Sequence, residues 1–276
     1  MQAEWVKYLK NKNPEEDFKS IYGLFLWYLK RPKFYPQFGF QIKKLLNMIV
    51  NPEYAIDTKA GAKSWCKENA MDTFEAISFI TGESTNESIA NKYKSIFFEA
   101  KQKEIKCPVN MGGAGNLDLL YWIAEHIKVK KVIETGVAYG WSSLAILLSL
   151  KKRKFSLLIS TDMPYPNRNN NKYIGCVVSK ELKKHWKIIN NADCIAIPRA
   201  LRYLKKIDMC HYDSDKSYYG RMWAYPRLWK ALRVGGIFIS DDIGDNISFQ
   251  KFAKDIKVDP IVVRTENKYA GILIKN

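Results

Sequence analysis

Val132-Ile133-Glu134-Thr135-Gly136-Val137-Ala138-Tyr139-Gly140-Trp141-Ser142-Ser143 begins as a short β-prone run, turns on two glycines and continues into an apolar stretch able to form a helix. A strand that hands over to a helix through such a turn is the repeating unit of a parallel sheet covered by helices. The same alternation extends outward from it. Residues 156–161, 187–189, 209–212 and 236–240 read as further strands, each followed by a segment of helical pattern. After a helix near 247–256 come two β-rich runs, 261–265 and 270–275, separated only by Glu266-Asn267-Lys268-Tyr269. That spacing predicts a terminal antiparallel hairpin on an otherwise parallel sheet, whereas a plain dinucleotide fold would continue with another crossover. The expectation is an α/β, doubly wound, seven-stranded and mostly parallel sheet over residues 107–276. Residues 1–106 read instead as a helical cap, with helices near 18–29, 38–50, 60–79 and 87–103 punctuated by Pro32, Pro36 and Pro52.

The chain has 276 residues, 47% hydrophobic and 26% charged, which excludes disorder and collagen-like or coiled-coil architectures. Its charge is unusual: 45 Lys and Arg against 28 Asp and Glu, a formal +17. The excess lies mostly beyond residue 106, where 28 basic side chains face 15 acidic ones. Lysines number 36 and arginines 9, although readers of bases and phosphates lean on the bidentate arginine fork. The runs Lys128-Val129-Lys130-Lys131 and Lys151-Lys152-Arg153-Lys154 fall between apolar segments and read as solvated turns. Five cysteines without Cys-x-x-Cys spacing support neither a disulfide framework nor a zinc knuckle. The apolar runs are too short to span a bilayer and no signal-peptide core is present at the start, so a reducing cytoplasm is the expected compartment.

In an open α/β sheet, ligands sit beyond the carboxyl ends of the strands, so the residues just past each strand carry the chemistry. Glu134 ends the first of these strands, and Gly136 and Gly140 let the backbone bend close to a ligand. The spacing is Gly-x-x-x-Gly and not the Gly-x-Gly-x-x-Gly of a dinucleotide site. Asp162 ends the next strand, where doubly wound nucleoside binders place a carboxylate on ribose hydroxyls. Asp193 follows the third, either near an adenine amino group or as a helix cap. Tyr212-Asp213-Ser214-Asp215-Lys216 and Ser240-Asp241-Asp242 end the last two. Carboxylates at neighbouring strand ends make the oxygen-rich environment that a hard cation such as Mg²⁺ requires.

Met111-Gly112-Gly113-Ala114-Gly115-Asn116, residues 132–143, the Asp162 strand end, Asp213 to Tyr218 and Gly235-Gly236 leading to Asp241-Asp242 together resemble the class I S-adenosylmethionine-dependent methyltransferases. The resemblance runs to the bacterial sugar- and antibiotic-tailoring O-methyltransferases and, at the metal-site motifs, to catechol and caffeoyl-coenzyme A O-methyltransferases. It implies that Glu134, Gly136, Gly140 and Ser142 serve the amino-acid part and sulfonium of the cofactor, with Met111 and Gly112 closing over it. Asp162 would bind the ribose, Met163 and Asp193 would flank the adenine, and Asp213 would border both cofactor and acceptor. Asp213, Asp241 and Asp242 would hold Mg²⁺, and Lys216 would act as general base, which requires its amine to be neutral. The sugar-modifying branch tends to use other bases and shares the Asp at position 242.

The implied reaction is O-methylation of a small hydroxylated acceptor such as a sugar, an anionic one being compatible with the basic surface. A nucleic-acid methyltransferase is disfavoured, because the fourth of these strands lacks the Asn/Asp-Pro-Pro-Tyr/Phe motif and no Pro-Cys pair occurs. A non-catalytic cofactor-binding protein with a partner-docking N-terminal part is the other alternative, and homo-oligomerisation stays open. The loop at 164–175 and the N-terminal helices would form the acceptor lid. His185 is placed to reach the cofactor edge, while His126 and His211 read as helix and core residues.

Overall fold

The computed structural model describes residues 14–50, 58–166, 170–266 and 268–276. In chain order the helices are α1 Pro14–Leu29, α2 Tyr35–Val50, α3 Lys59–Asn69, α4 Thr73–Thr81, α5 Ile89–Lys92, α6 Lys94–Ile105, α7 Leu117–His126, α8 Trp141–Leu150, α9 Asp193–Leu204, α10 Tyr218–Ala231 and α11 Ser248–Asp255. The strands are β1 Ala70–Met71, β2 Lys131–Thr135, β3 Leu157–Asp162, β4 Trp186–Asn190, β5 Ile207–Tyr212, β6 Leu232–Ser240, β7 Ile261–Thr265 and β8 Lys268–Ile274.

They form one sheet in the order β1-β7-β8-β6-β5-β2-β3-β4. All neighbours are parallel except β8, which runs antiparallel to both β6 and β7. The hairpin expected from residues 261–275 is therefore present, and β8 inserts between β7 and β6. Strand β2 is flanked by β3 and β5, so the chain winds outward in one direction through β3 and β4 and in the other through β5 and β6. The carboxyl ends of β2 and β5 thus border the switch-point crevice.

The expected seven strands become eight. Residues 60–79 do not form one helix: Ala70–Met71 extend and pair in parallel with Val262–Val263. Asp72 then restarts the helix, its side chain accepting from the Phe74 amide while Glu75 reaches back to the Asp72 amide. This reciprocal cap stabilises the break by satisfying amides that the new helix would otherwise leave bare. The segment 87–103 is likewise split at Tyr93, whose φ of −124° leaves the helical region.

Alternating strand residues feed two cores. Val132, Leu158, Met209 and Ile239 pack with α7 and α8 on one face, while Ile133, Ile159, Cys210 and Phe238 pack with α9, α10 and α11 on the other. Every residue of α8 is buried, which suits a helix apolar on all sides. Farther out, Leu24, Trp27 and Tyr28 of α1 cluster with Phe34 and reach Met163 just beyond β3. No helix among the described residues is long and apolar enough to cross a membrane.

Candidate active site

A cavity of about 370 Å³ lies over the carboxyl ends of β2, β3 and β5. Its floor is the β2–α8 turn. Gly136 has φ +81°, and a Cβ there would stand 2.3 Å from the Asp213 carbonyl oxygen. Only glycine lets β2 and β5 approach this closely, and the closeness is used: the Asp213 amide donates to the Thr135 carbonyl at 2.9 Å. Gly140, at φ +92°, packs under Gly175.

Asp162 Oδ2 accepts from the amides of Val137 and Ala138, both at 2.9 Å. Oδ1 has no protein donor among the described residues. Burial, followed by repulsion from Asp193 and Glu134, outweighs the two amides and pushes the Asp162 carboxyl up to about 7. Asp193 accepts from Ser214 Oγ at 2.5 Å, and burial raises it to about 6. Tyr139 OH donates to the Val109 carbonyl and accepts from the Met111 amide, pinning the 109–111 segment above the cavity.

Met111, Gly112, Gly136, Ser142, Asp162 and Met163 all line this cavity, as do Asp193, Asp213 and Lys216. Glu134 and Gly140 do not. Glu134 is fully buried beneath the floor, where its Oε2 accepts from Ser143 and Ser160 hydroxyls. Its other oxygen lies 3.7 Å from His211 Nδ1, and His211 Nε2 lies 3.4 Å from Asp241 Oδ2. Burial opposes a charge on His211, but Asp241 and Glu134 overcome it and push the imidazole up to about 10. His211, 1% exposed, is thus a core residue as expected, with its ring set between the carboxylates of two strand ends.

The three expected metal ligands do not converge on one point. Lys216 Nζ stands between Asp213, 2.9 Å from its Oδ1, and Asp242, to which it hydrogen-bonds. Asp241 faces His211 instead. Among the described residues no group of three His, Cys, Asp or Glu side chains is placed to hold a metal ion. Lys216 also departs from the neutral base the resemblance implies: burial disfavours its charge, yet Asp213 and Asp242 hold the amine well above its ordinary range. Asp213 is raised by burial and by repulsion from Asp241, while Lys216 keeps Asp242 low against burial.

His185 does not reach the cavity. Its Nδ1 pairs with Ser156 Oγ at 3.1 Å, at the start of β3 and thus at the far end from Asp162. The roof comes largely from residues with no motif to mark them: Leu24, Tyr28, Gln37, Phe40 and Gln41 of α1 and α2. Gln37 Oε1 accepts from Cys194 Sγ, and Phe40 packs against Tyr219 and Trp223 of α10. Lys44 of α2, 3% exposed, places its ammonium 3.6 Å from Asp215. Such long-range packing leaves no spacing signature in the sequence.

Residues 133–243 match the family model described as a methyltransferase domain. The chain therefore carries a methyltransferase domain over these residues. The chain is similar in fold to the O-methyltransferase TomG of Streptomyces achromogenes, involved in tomaymycin synthesis and solved with S-adenosylmethionine. The TM-score is 0.50 at 14% identity, covering 73% of this chain and 96% of that one. The O-methyltransferase of Bacillus cereus, solved with S-adenosylhomocysteine, aligns at a TM-score of 0.49 and 10% identity, covering 76% and 100%. No curated protein matches the chain in sequence.

Proposed function

We propose that this methyltransferase transfers a methyl group to a hydroxyl oxygen of a small-molecule acceptor. The observation that carries the reading is the Asp213–Lys216 pair on the wall of the same cavity that presents Asp162 and Asp193. Bound S-adenosylmethionine supplies a methyl carbon already activated by positive sulfur. Asp162 binds the ribose, Asp193 and Met163 border the adenine, and the turn at Gly136 admits the amino-acid end. Asp213 Oδ1 takes the acceptor's hydroxyl proton, and the Lys216 ammonium steadies the negative charge that develops on that oxygen. Alignment of oxygen, carbon and sulfur supplies much of the rate, so the α1–α2 roof contributes by fixing the acceptor and excluding water. Residues 1–106 accordingly serve as the recognition region, and 107–276 as the cofactor-binding domain.

Magnesium is not built into this mechanism. Two of its expected ligands already share the Lys216 ammonium and the third turns to His211, so the donor set as arranged does not fit a divalent ion. A carboxylate able to accept a proton beside a cation supports oxygen as the acceptor atom, as does the likeness in fold to the O-methyltransferase TomG. The test is a screen of sugars, phenols and amines with methyl-labelled S-adenosylmethionine, followed by locating the label. Label on oxygen, lost in Asp213→Asn, is expected; label confined to nitrogen would sink the proposal.

A further inference from the structure

Beyond the end of β6 a second cavity, of about 310 Å³, is walled by Lys59, Lys63, Asp242, Asp245, Lys268 and Tyr269. It adjoins the first. Lys268 lines both cavities, and Asp242 is the residue that binds Lys216 from the other side. Three amines from α3 and the β8 start thus face two carboxylates. Lys59 pairs with Asp245 at 3.4 Å, and Lys268 Nζ stands 3.5 Å from Asp242. The Lys268 distance exceeds normal hydrogen-bond length, and its side chain is 64% exposed. Lys63 has no carboxylate partner among the described residues, and its position four residues after Lys59 puts both on one face of α3. Asp242 is also committed to Lys216, which leaves less of its charge for Lys268. The cavity is therefore a positive recess beside a reaction centre.

We propose that this recess holds a phosphate group carried by the acceptor, whose hydroxyl faces Asp213 and Lys216 in the neighbouring cavity. The inference rests on the proposed hydroxyl acceptor and gives it a chemical class: a phosphorylated, hydroxylated small molecule. Lysines reaching in from two separate segments suit an anion that spreads its charge over several oxygens, each ammonium acting as a point charge. The volume exceeds that of a phosphate alone, leaving room against Tyr269 for part of the molecule that bears it.

The full-length protein saturated with S-adenosylhomocysteine is titrated calorimetrically with glucose 6-phosphate, inorganic phosphate and glucose. Glucose 6-phosphate is expected to bind saturably at millimolar concentration, glucose not at all, and the Lys59→Ala/Lys63→Ala variant to bind the ester about tenfold more weakly. Its S-adenosylhomocysteine affinity should be unchanged, and Lys63→Glu should repeat the loss, guarding against an effect peculiar to the double variant. No ester binding by about 20 mM, or binding indifferent to both variants, overturns the proposal. Inorganic phosphate binding as tightly as the ester overturns it too, since the recess would then hold a free anion unconnected with an acceptor. Failure of the unmodified protein to bind S-adenosylhomocysteine would count against the cofactor site instead, so the two readings fail separately.

Discussion

Asp162 is asked to ionise in a place that resists ionisation. Its folded carboxyl, near 7, lies above the unfolded value of 3.8. Its protonated form therefore favours folding, a contribution fully present below pH 3.8 and lost as pH rises through about 7. Ribose hydroxyls donate to the ionised form, so cofactor affinity should move the opposite way. Calorimetry should show binding about tenfold weaker at about pH 6 than at about pH 8. Asp162→Asn should weaken binding by about tenfold or more and flatten that pH dependence. Lys216 gives a second expectation: Lys216→Met removes the ammonium between Asp213 and Asp242 and should raise Mn²⁺ affinity about tenfold, read by electron paramagnetic resonance. Equal affinity in both proteins would show that Lys216 does not guard the carboxylates. At this scale Asp162, Asp193, Asp213 and Lys216, singled out in the sequence as strand-end residues, line one cavity because strand-end positions are fixed by the sheet. It could not show Lys216 as a held cation or His211 as a bridge, since both depend on which carboxylate each side chain meets across strands.

The turn between β2 and α8 decides whether the sheet can close over the cofactor. Gly136→Ala would force a side chain into positive φ and against the Asp213 carbonyl. A loss of about 2–4 kcal/mol in denaturant unfolding is expected, together with loss of cofactor binding. Asp72→Ala, which removes one half of the α4 cap, should cost about 1 kcal/mol and leave cofactor binding intact. Asp72-Thr73-Phe74-Glu75 is a legible cap that divides 60–79 into two helices. The uninterrupted apolar spacing on either side hid it, and a two-residue strand is too short to show period-two alternation.

The whole molecule should respond to its cofactor by mass action. At S-adenosylhomocysteine about a hundredfold above its dissociation constant, melting should rise by roughly 5–10 °C; a shift within error would contradict a formed site. The strand–helix alternation and the terminal hairpin were legible because periodicity and spacing are local properties. How α1 and α2 lie across Met163, Cys194 and Asp215 was not, because that docking joins residues far apart in the chain. The formal +17 also changes meaning at this scale. At the reaction centre Lys216 sits between the carboxylates of Asp213 and Asp242, while Lys59, Lys63 and Lys268 wall the adjoining recess.

The placing of β8 between β6 and β7 sets an order of events during synthesis. Strand β7 cannot join the sheet until residues 268–274 have emerged to bridge it to β6, and Ala70–Met71 must in turn wait for β7. Until then the edge of β6 is bare and the nascent chain carries an open seam, which makes Leu232–Ser240 the segment longest open to chaperones during synthesis.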